Sequence, residues 1–384
     1  MKIAYICPFY DPAICGVKQV VKELSSRMIK EQHEVHVFTS DWDKYKRVKK
    51  KEEVIDGVSV HRCFHIVRVA NFASIWPSVF FKLLKMDFDI IHSHLFGHAH
   101  TFFSALAAKI KGVPHIHTTH CPWSDAKRSV MGGFLMRLTY PTFGRLSLKW
   151  SDYIIAITPW EIGFIKKYGG KRAENKTLTI PNGMDKLFFE KIKPNLFKKR
   201  YGLNKKIVLF LGRFNPTKGA EKLALVAKDI VKKRKDIAFI FLGPDEGTKE
   251  EVRRIVKNVE RVHILEPVRD REKIVEVYQA ADVYALPSYR EGLPLTLIES
   301  FASGLPVVAS PVNGVPYEMK DPENGYFVEY GDLKGLKEAI VKILDNKDIA
   351  LKMKKNNLKK AKTYDWDLIS KKTENLYKTF SRRH

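Results

Sequence analysis

Short apolar runs alternate along the chain with longer stretches in which apolar residues recur at helical spacing. The short runs predict strands at 3–7, 35–38, 58–61, 89–92, 114–118, 153–158, 207–211, 237–242, 262–265, 282–286, 307–309 and 324–328. The longer stretches predict helices at 17–31, 72–84, 97–111, 219–234, 273–279, 295–301, 336–344 and 364–380. Strands that alternate with helices indicate parallel, doubly wound sheets of the α/β class, whose ligands bind outside the carboxyl ends of the strands.

The length of the chain and a proline- and glycine-containing segment near its middle predict two domains. A chain of 384 residues can bury two separate cores. Pro181 and Gly183 lie in the segment 180–185, and proline and glycine there are typical of a domain boundary. Residues 186–206 are polar and rich in lysine, and we interpret them as the connector that leaves the first domain.

The composition indicates a globular protein without a membrane span. Hydrophobic residues make up 45% of the chain and charged residues 29%, and no window approaches the ~18 apolar residues needed to cross a bilayer. The four cysteines have neither CxxC pairing nor zinc-ligand spacing, as expected for reduced thiols inside the cell. We therefore predict a cytoplasmic protein.

The formal net charge of +25 is unusual and has three interpretations. It can belong to a lysine-rich solvated surface, to a face that contacts an anionic membrane, or to a nucleic-acid binder. The basic residues are spread along the chain, and only 44–51 form a dense run. Because no zinc finger, RNA-recognition signature or basic motif interleaved with aromatic residues occurs, no nucleic-acid partner is expected.

Residues 287–310 predict an anion site with sugar-binding groups beside it. The stretch follows a predicted strand, and Gly292 and Pro294 allow a tight turn into a helix, with Pro294 suited to the first helical position. Unpaired amides and the helix dipole at such a helix start attract a phosphate. Glu291 and Glu299 flank this start, and carboxylates are good acceptors for sugar hydroxyls. A phosphate with hydroxyls on both sides describes a nucleotide sugar.

A second motif, 212–219, combines two cations with a strand end. Arg213 stands at the end of the strand and Lys218 at the entrance of the next helix. The guanidinium offers a fork of donors and the ammonium a mobile point charge, so both can converge on one diphosphate. The alternative, that they are two ordinary surface cations, is open at this point.

The amino-terminal half contains weaker candidates. Gly16 follows the first strand, where a glycine lets the backbone approach a phosphate or an acceptor, although a plain turn explains it equally well. His120 stands just past the fifth strand. Further histidines are dense enough to suggest zinc, but no cysteine or carboxylate accompanies them at ligand spacing, so no metal is expected; they are His92, His94, His98, His100, His115 and His117.

The motif formed by Glu291, seven residues and Glu299 resembles the signature of the retaining glycosyltransferases of family 4, also called group 1, which have the GT-B fold. The resemblance extends in order over nearly the whole chain. Pro294 departs from it, because many members have a second glycine there and proline has no amide to offer a diphosphate. Asn313 likewise replaces one glycine of a Gly-Gly-x-x-Glu loop.

This resemblance implies a specific architecture and site. Two Rossmann-like domains, 1–186 with 365–384 and 187–364, would face a central cleft, and the final helix would cross back to the first domain. Arg213 and Lys218 would stabilise the diphosphate leaving group, Glu291 and Glu299 would orient the sugar and ribose hydroxyls, and His120 would face the sugar. The other donor-binding positions implied are Gly16, Val268, Gly292, Leu293, Leu295 and Thr296.

The function that the resemblance implies is transfer of a hexose-type sugar, with retention and without a metal, from a UDP- or GDP-linked donor to an acceptor hydroxyl. The basic run 44–51 and the apolar residues Trp76, Phe80 and Phe81 favour a lipid-linked or glycan acceptor, with peripheral contact on the inner face of an anionic membrane. The alternatives are an inactive subunit that binds the donor, or a sugar phosphorylase or epimerase on the same fold.

Overall fold

The computed structural model describes residues 1–13, 15–43, 46–69, 73–123, 130–191, 195–200, 204–268 and 270–381. The chain divides into two compact units. The first domain comprises residues 1–183 with 366–384, and the second comprises residues 184–365. Each has its own sheet and its own core.

The first domain is built around a sheet of eight strands in its described part, in the order β10-β9-β8-β7-β1-β2-β4-β3. Its strands, together with a separate antiparallel pair β5–β6, are β1 Lys2–Ile6, β2 Glu34–Ser40, β3 Glu52–Ile55, β4 Val58–Cys63, β5 Val67–Val69, β6 Ala73–Ile75, β7 Ile90–His94, β8 His115–Thr118, β9 Tyr153–Ala156 and β10 Thr177–Thr179. Its helices before the boundary are α1 Gly16–Lys30, α2 Ser78–Lys85, α3 Ala99–Lys111, α4 Val130–Thr139, α5 Arg145–Trp150 and α6 Ile162–Asn175, with short helical turns at Tyr140–Gly144 and Pro159–Glu161.

The second domain has a sheet of six described strands, all parallel, in the order β13-β12-β11-β14-β15-β16. The strands are β11 Lys206–Leu211, β12 Ile237–Leu242, β13 Val262–Leu265, β14 Val283–Leu286, β15 Val307–Ala309 and β16 Gly325–Phe327. The helices are α7 Asn195–Arg200, α8 Ala220–Lys233, α9 Lys249–Ile255, α10 Arg271–Ala280, α11 Leu295–Ala302, α12 Val315–Glu318, α13 Leu333–Asp345 and α14 Lys347–Ala361, with short helical turns at Lys186–Phe189 and Lys362–Tyr364.

The last helix, α15 Trp366–Ser381, belongs to the first domain. Trp366, Ile369, Leu376 and Tyr377 are buried in the same cluster as β1 and α1 side chains. The prediction that the final helix crosses back to the first domain is therefore confirmed. The apolar residues of α15 form one stripe along the helix. Packing of this stripe against the core of the first domain removes it from water, which explains the position of the helix.

Several local predictions were wrong. The first sheet is not wholly parallel, because β3 pairs antiparallel with β4 at one edge. Residues 186–206 are not a plain polar connector, since Phe188 and Phe197 are buried. Trp76 is also buried, with its ring stacked on His100 at 5.0 Å between centroids, so it contributes nothing to an exposed apolar surface. Phe81 is 60% exposed, as the surface interpretation requires.

Histidines replace aliphatic residues in part of the first core. His92, His94, His115 and His117 lie on the adjacent strands β7 and β8 and are fully buried. Hydrogen bonds satisfy several of their ring nitrogens; Ser93 Oγ, for example, lies 3.1 Å from His115 Nε2 and 2.9 Å from His117 Nδ1. Burial, which disfavours the charged imidazolium, lowers the pKa of His117 to about 3.

The packing of α15 yields a stability prediction. Ile369 is 2% exposed, whereas its neighbour Leu368 is 50% exposed. We expect Ile369→Ala to destabilise the first domain by about 2–5 kcal/mol, because it removes buried methyl groups and leaves a cavity. Leu368→Ala is the matched control and should change the unfolding free energy by no more than about 0.5 kcal/mol. Denaturant unfolding measures both, and equal effects would contradict the placement of α15.

The buried histidines yield a pH prediction. In the unfolded chain a histidine has its ordinary pKa of 6.5, but burial lowers the pKa of His100 to about 4 and that of His117 to about 3. Between the folded and unfolded pKa values, the unfolded state binds more protons than the folded state. The stability contributed by these neutral histidines is therefore fully present above pH 6.5 and is lost as the pH falls towards the folded values.

His100 and His117 should each lower the unfolding free energy of the first domain by about 2 kcal/mol between pH 7 and pH 5. Denaturant unfolding at both pH values measures this loss. In the His117→Gln variant, the loss of unfolding free energy should be smaller by about the 2 kcal/mol that His117 contributes. A pH-independent unfolding free energy in the wild type would refute this account.

Candidate active site

The second domain has a topological switch point between β11 and β14. From β11 the chain continues to β12 on one side of the sheet, and later returns through β14 on the other side. The carboxyl ends of these two neighbouring strands are where open α/β sheets of this kind bind ligands. Residues 212–219 and 287–294, the two sequence motifs, form the loops that follow these strands.

The two loops are joined by close backbone contacts. The amide of Tyr289 donates to the carbonyl of Thr217 at 2.8 Å. Gly219 has φ +68°, and a Cβ there would lie 1.9 Å from the carbonyl oxygen of Pro287. Only glycine fits this position, for both conformational and steric reasons.

Lys218 and Glu291 form an ion pair across these loops. Lys218 Nζ donates to Glu291 Oε1 at 2.7 Å and to Oε2 at 2.8 Å, and Ser288 Oγ donates to Oε1 at 2.7 Å. The side chain of Glu291 is only 5% exposed and that of Lys218 is 15% exposed. Because both charges are largely removed from water, each requires a charged or strongly polar partner.

Arg213 has a different partner. Its guanidinium Nη1 lies 2.9 Å and 3.1 Å from the two carboxylate oxygens of Glu246, in the loop after β12. Asn215 Nδ2 also donates to Glu246, at 3.0 Å. The pair is about half exposed, so it is weak and easily exchanged. Arg213 and Lys218 thus lie on one loop, but each is neutralised by its own carboxylate.

Helix α11 begins beside this ion pair. Pro294 occupies the N-cap position with ψ 110°, and the helix starts at Leu295, so the prediction of Pro294 as the first helical residue was wrong by one position. The amides of Leu295 and Thr296 are in the first turn, where a helix offers no internal acceptor. Gly292 and Leu293 lie in the turn just before the cap. These amides and the helix dipole are suited to an anion.

Glu299 lies on the same helix, one turn further along. Its Oε2 accepts a hydrogen bond from the hydroxyl of Tyr278 at 2.9 Å. Burial raises the pKa of Glu299, while the bond from Tyr278 opposes this shift by favouring the carboxylate. Val268 lies elsewhere, in the loop after the edge strand β13. Neither Tyr278 nor Glu246 could be recognised from the sequence, because each is distant along the chain from the residue that it contacts.

The first domain contains the remaining predicted positions. Gly16 opens α1, and a Cβ added to it would meet no described atom within 4 Å, so packing within this domain does not require glycine. His120 follows β8 in a left-handed conformation, with φ +60°. Its Nε2 lies 2.9 Å from Nδ1 of His94, and burial lowers the pKa of His120 to about 3. The ring is therefore neutral at physiological pH.

One buried carboxylate near His120 was missed by the sequence analysis. Glu161 is fully buried and accepts hydrogen bonds from the segment that contains His120. A signal for it exists in the sequence, since Thr158 and Glu161 have the spacing of a helix capping box.

Among the described residues, no three His, Cys, Asp or Glu side chains are arranged to hold a metal ion. In the same part of the chain, no helix is long and apolar enough to cross a membrane.

Two family models match the chain in succession. The model of Glycosyltransferase Family 4 matches residues 14–186, and the model of Glycosyl transferases group 1 matches residues 192–360. Together the two matches extend over both domains.

Two relatives are identical to this chain at 28% of the aligned positions. The D-inositol 3-phosphate glycosyltransferase of Corynebacterium diphtheriae is 28% identical over 312 residues, which cover 78% of this chain and 72% of the relative. The UDP-Gal:α-D-GlcNAc-diphosphoundecaprenol α-1,3-galactosyltransferase of Escherichia coli is 28% identical over 290 residues, which cover 72% of this chain and 71% of the relative.

Solved structures match over the whole chain. Sucrose-phosphate synthase from Thermosynechococcus elongatus has a TM-score of 0.77 at 21% identity and covers 100% of both chains. Anabaena HepE in complex with UDP has a TM-score of 0.78 at 17% identity, over 99% of this chain and 100% of its own. These likenesses establish the GT-B fold. With the two family matches, they lead to one conclusion: the chain belongs to the group 1 glycosyltransferases of family 4.

Proposed function

We propose that this glycosyltransferase moves a hexose-type sugar from a UDP- or GDP-linked donor to an acceptor hydroxyl, with retention at the anomeric carbon. The observation that supports this most strongly is the buried pair of Lys218 and Glu291 at the switch point, next to the start of α11. It places a cation, a carboxylate and free helix amides together, which are the groups that a sugar diphosphate requires.

The chemistry of the leaving group gives Lys218 and Arg213 their proposed role. When the glycosidic bond breaks, negative charge develops on the diphosphate, and preorganised cations lower the barrier by stabilising that charge. In our proposal the diphosphate becomes the partner of Lys218 and Arg213, replacing the carboxylates of Glu291 and Glu246. These cations and the amides of Leu295 and Thr296 would supply the stabilisation without a metal.

The carboxylates then take up the sugar parts of the donor. Glu291, released from Lys218, would accept hydrogen bonds from sugar hydroxyls, and Glu299 would accept them from the ribose. Backbone near Val268 would face the base, and the turn at Gly292 and Leu293 would pass close to the diphosphate. Gly16 would let the backbone of the first domain approach the donor.

His120 would contact the sugar as a neutral hydrogen-bonding group, since its low pKa makes it a poor cation. We propose front-face attack, in which the acceptor hydroxyl forms the new bond as the bond to the diphosphate breaks and its proton passes to the departing diphosphate, rather than a covalent glycosyl-enzyme. Retaining glycosidases that form such an intermediate need a nucleophilic carboxylate about 5 Å from an acid carboxylate. Glu161, the buried carboxylate near His120, already accepts four hydrogen bonds and is poorly suited to that role.

The comparisons favour a UDP-linked donor and a lipid-linked acceptor. HepE was crystallised with UDP, and the name of the Escherichia coli relative states a UDP-linked sugar and a diphosphoundecaprenol acceptor.

An exposed apolar patch in the first domain supports contact with a membrane. We define the patch as Phe64, Ile66, Val67, Ile75 and Phe81, which are between 37% and 64% exposed. Val67 and Ile75 pair across β5 and β6, and Ser78, at the start of the helix containing Phe81, donates to the carbonyl of Phe64 at 3.5 Å.

Basic residues border this patch. The guanidinium of Arg47 lies 4.6 Å from the ring centroid of Phe64, and the other described basic side chains of the run 44–51, at positions 46, 49, 50 and 51, are exposed; Lys44 lies outside the described residues. Exposed apolar groups beside cations are typical of surfaces that dock on anionic lipid. We therefore propose peripheral contact with the inner face of a membrane, where a lipid-linked acceptor would lie.

The donor site is tested by turnover. We expect the protein to release nucleoside diphosphate, with water taking the sugar in place of the acceptor, from one member of a panel of UDP-glucose, UDP-galactose, GDP-mannose and ADP-glucose. Lys218→Ala should lower that rate about 10²–10³-fold, as removal of a preorganised charge-stabilising group does, and Glu291→Ala should also lower it.

Lys337→Ala is the matched control, because it breaks an ion pair with Asp229 in the same domain, away from both loops. It should leave the rate unchanged. Thermal unfolding of each variant reports any loss of folding. Turnover that survives in Lys218→Ala would contradict the assignment of the leaving-group site.

The membrane proposal predicts binding to vesicles that contain an anionic phospholipid, with weaker binding at high salt because charge attraction is screened. Replacing Ile66 and Phe81 together by serine should lower the bound fraction. Leu351→Ser, which changes an equally exposed apolar residue of the second domain, should have no effect. Co-sedimentation measures the bound fraction. Failure of the wild type to bind at moderate salt would refute peripheral contact.

A further inference from the structure

The turn that contains His120 has an unfavourable backbone. His120 and the next residue, Cys121, have φ values of +60° and +49°. For residues with a side chain, the left-handed region costs about 1–2 kcal/mol each. Such a turn persists only where surrounding contacts hold it.

Glu161 provides these contacts. Its Oε2 accepts hydrogen bonds from Thr119 Oγ1 at 2.6 Å, from the Cys121 amide at 2.7 Å and from Trp123 Nε1 at 3.0 Å. Its Oε1 accepts one from the amide of Ile157 at 2.7 Å. The bonded groups stand immediately before and after His120, so one carboxylate holds both sides of the turn.

Glu161 is itself rigidly placed. It lies in the first turn after Thr158, whose hydroxyl caps that turn by accepting from the amide of Trp160 at 3.4 Å. It is 0% exposed. The indole of Trp123, at the far end of the held segment, stacks on Phe164 at 5.3 Å between centroids. The carboxylate therefore links the start of α6 to the segment 119–123.

The ring of His120 is held separately. Its Nε2 lies 2.9 Å from Nδ1 of His94, a buried residue of β7. The backbone of the turn is thus held by Glu161 and the ring of His120 by His94. Together these contacts fix the orientation of the His120 side chain. A fixed orientation matters for catalysis, because misplacement by about 1 Å can cost about 10²-fold in rate.

We propose that Glu161 is a positioning residue for sugar transfer, which acts through His120 by holding the left-handed turn 119–121. The inference rests on the proposed function, in which His120 contacts the donor sugar. Glu161 itself does not touch the donor.

Glu161→Gln tests the proposal with little change of shape. An amide has one acceptor oxygen, so its NH₂ group must face at least one of the four donors. We expect the rate of nucleoside diphosphate release, from whichever of UDP-glucose, UDP-galactose, GDP-mannose and ADP-glucose the wild type uses, to fall about 10–100-fold. In the His120→Ala background the same substitution should cause no further loss, because the group that it positions is gone.

A merely structural role gives a different pattern. If Glu161 only stabilised the fold, Glu161→Gln would lower the rate by the same factor with and without His120. Glu374→Gln is the matched control, since Glu374 is a buried carboxylate of the same domain that contacts His33 and Lys378 instead of the turn. It should leave the rate unchanged.

A measurement on the protein without a sugar nucleotide completes the test. We expect Glu161→Gln, and not Glu374→Gln, to change the ¹⁵N shifts of the His120 ring in the protein alone. Unchanged shifts, or additive rate losses, would overturn the role of Glu161 while leaving the proposed function intact. If His120→Ala does not lower the rate, the role of His120 in the proposed function fails, and the role of Glu161 fails with it.

Discussion

The ion pair between Lys218 and Glu291 is the interaction on which the proposed site depends. Two parallel strands, β11 and β14, end side by side, and the pair joins the loops that follow them. Neither charge is well solvated, so each must always have a partner. In the protein alone the partners are each other. A sugar diphosphate offers both a replacement, with phosphate oxygens for the ammonium and hydroxyls for the carboxylate, so binding can exchange partners without leaving a buried charge unpaired.

In the proposed function, the candidate groups of the two domains would differ in electrostatic character. The second domain offers Arg213, Lys218 and the start of α11, which suit the charge that develops on a diphosphate. The first domain places His120 just after β8, where this strand and its neighbour β7 contain buried histidines whose low pKa values keep the rings neutral. A neutral imidazole can direct a hydrogen bond to a sugar hydroxyl without competing for the phosphate charge.

The sequence alone predicted the apolar parts of the fold well. The strands 237–242, 262–265 and 307–309 were predicted with the bounds that the structure has, because buried strands of parallel sheets are short, continuous apolar runs. Strand β3, Glu52–Ile55, was missed because it is a half-exposed edge strand that starts with two glutamates. Helix α14, Lys347–Ala361, was missed because it is rich in lysine and has only a weak apolar stripe.

The candidate site was predictable only in part, for a related reason. Motifs that are local in sequence, such as Arg213 with Lys218 or Glu291 with Glu299, were found. Partners that depend on the tertiary fold were not, including Glu246 beside Arg213, Tyr278 beside Glu299 and Glu161 around the turn of His120. Trp76 was misassigned to the surface because an apolar residue near a helix start does not reveal which side faces the core.

Calorimetric titration of UDP and of UDP-glucose, with GDP and GDP-mannose as a second pair, tests the exchange of partners most directly. One of the two pairs should bind to the wild type. Lys218→Ala should lower the affinity for both members of that pair by about tenfold or more, since a hydrogen bond to a charged group contributes about 1.5–3 kcal/mol. Glu291→Gln should weaken binding of the sugar nucleotide, whose hydroxyls lose their acceptor, but should not weaken binding of the free nucleotide, which offers the displaced carboxylate no partner. Equal weakening of both ligands by Glu291→Gln, or unchanged binding in Lys218→Ala, would contradict the account.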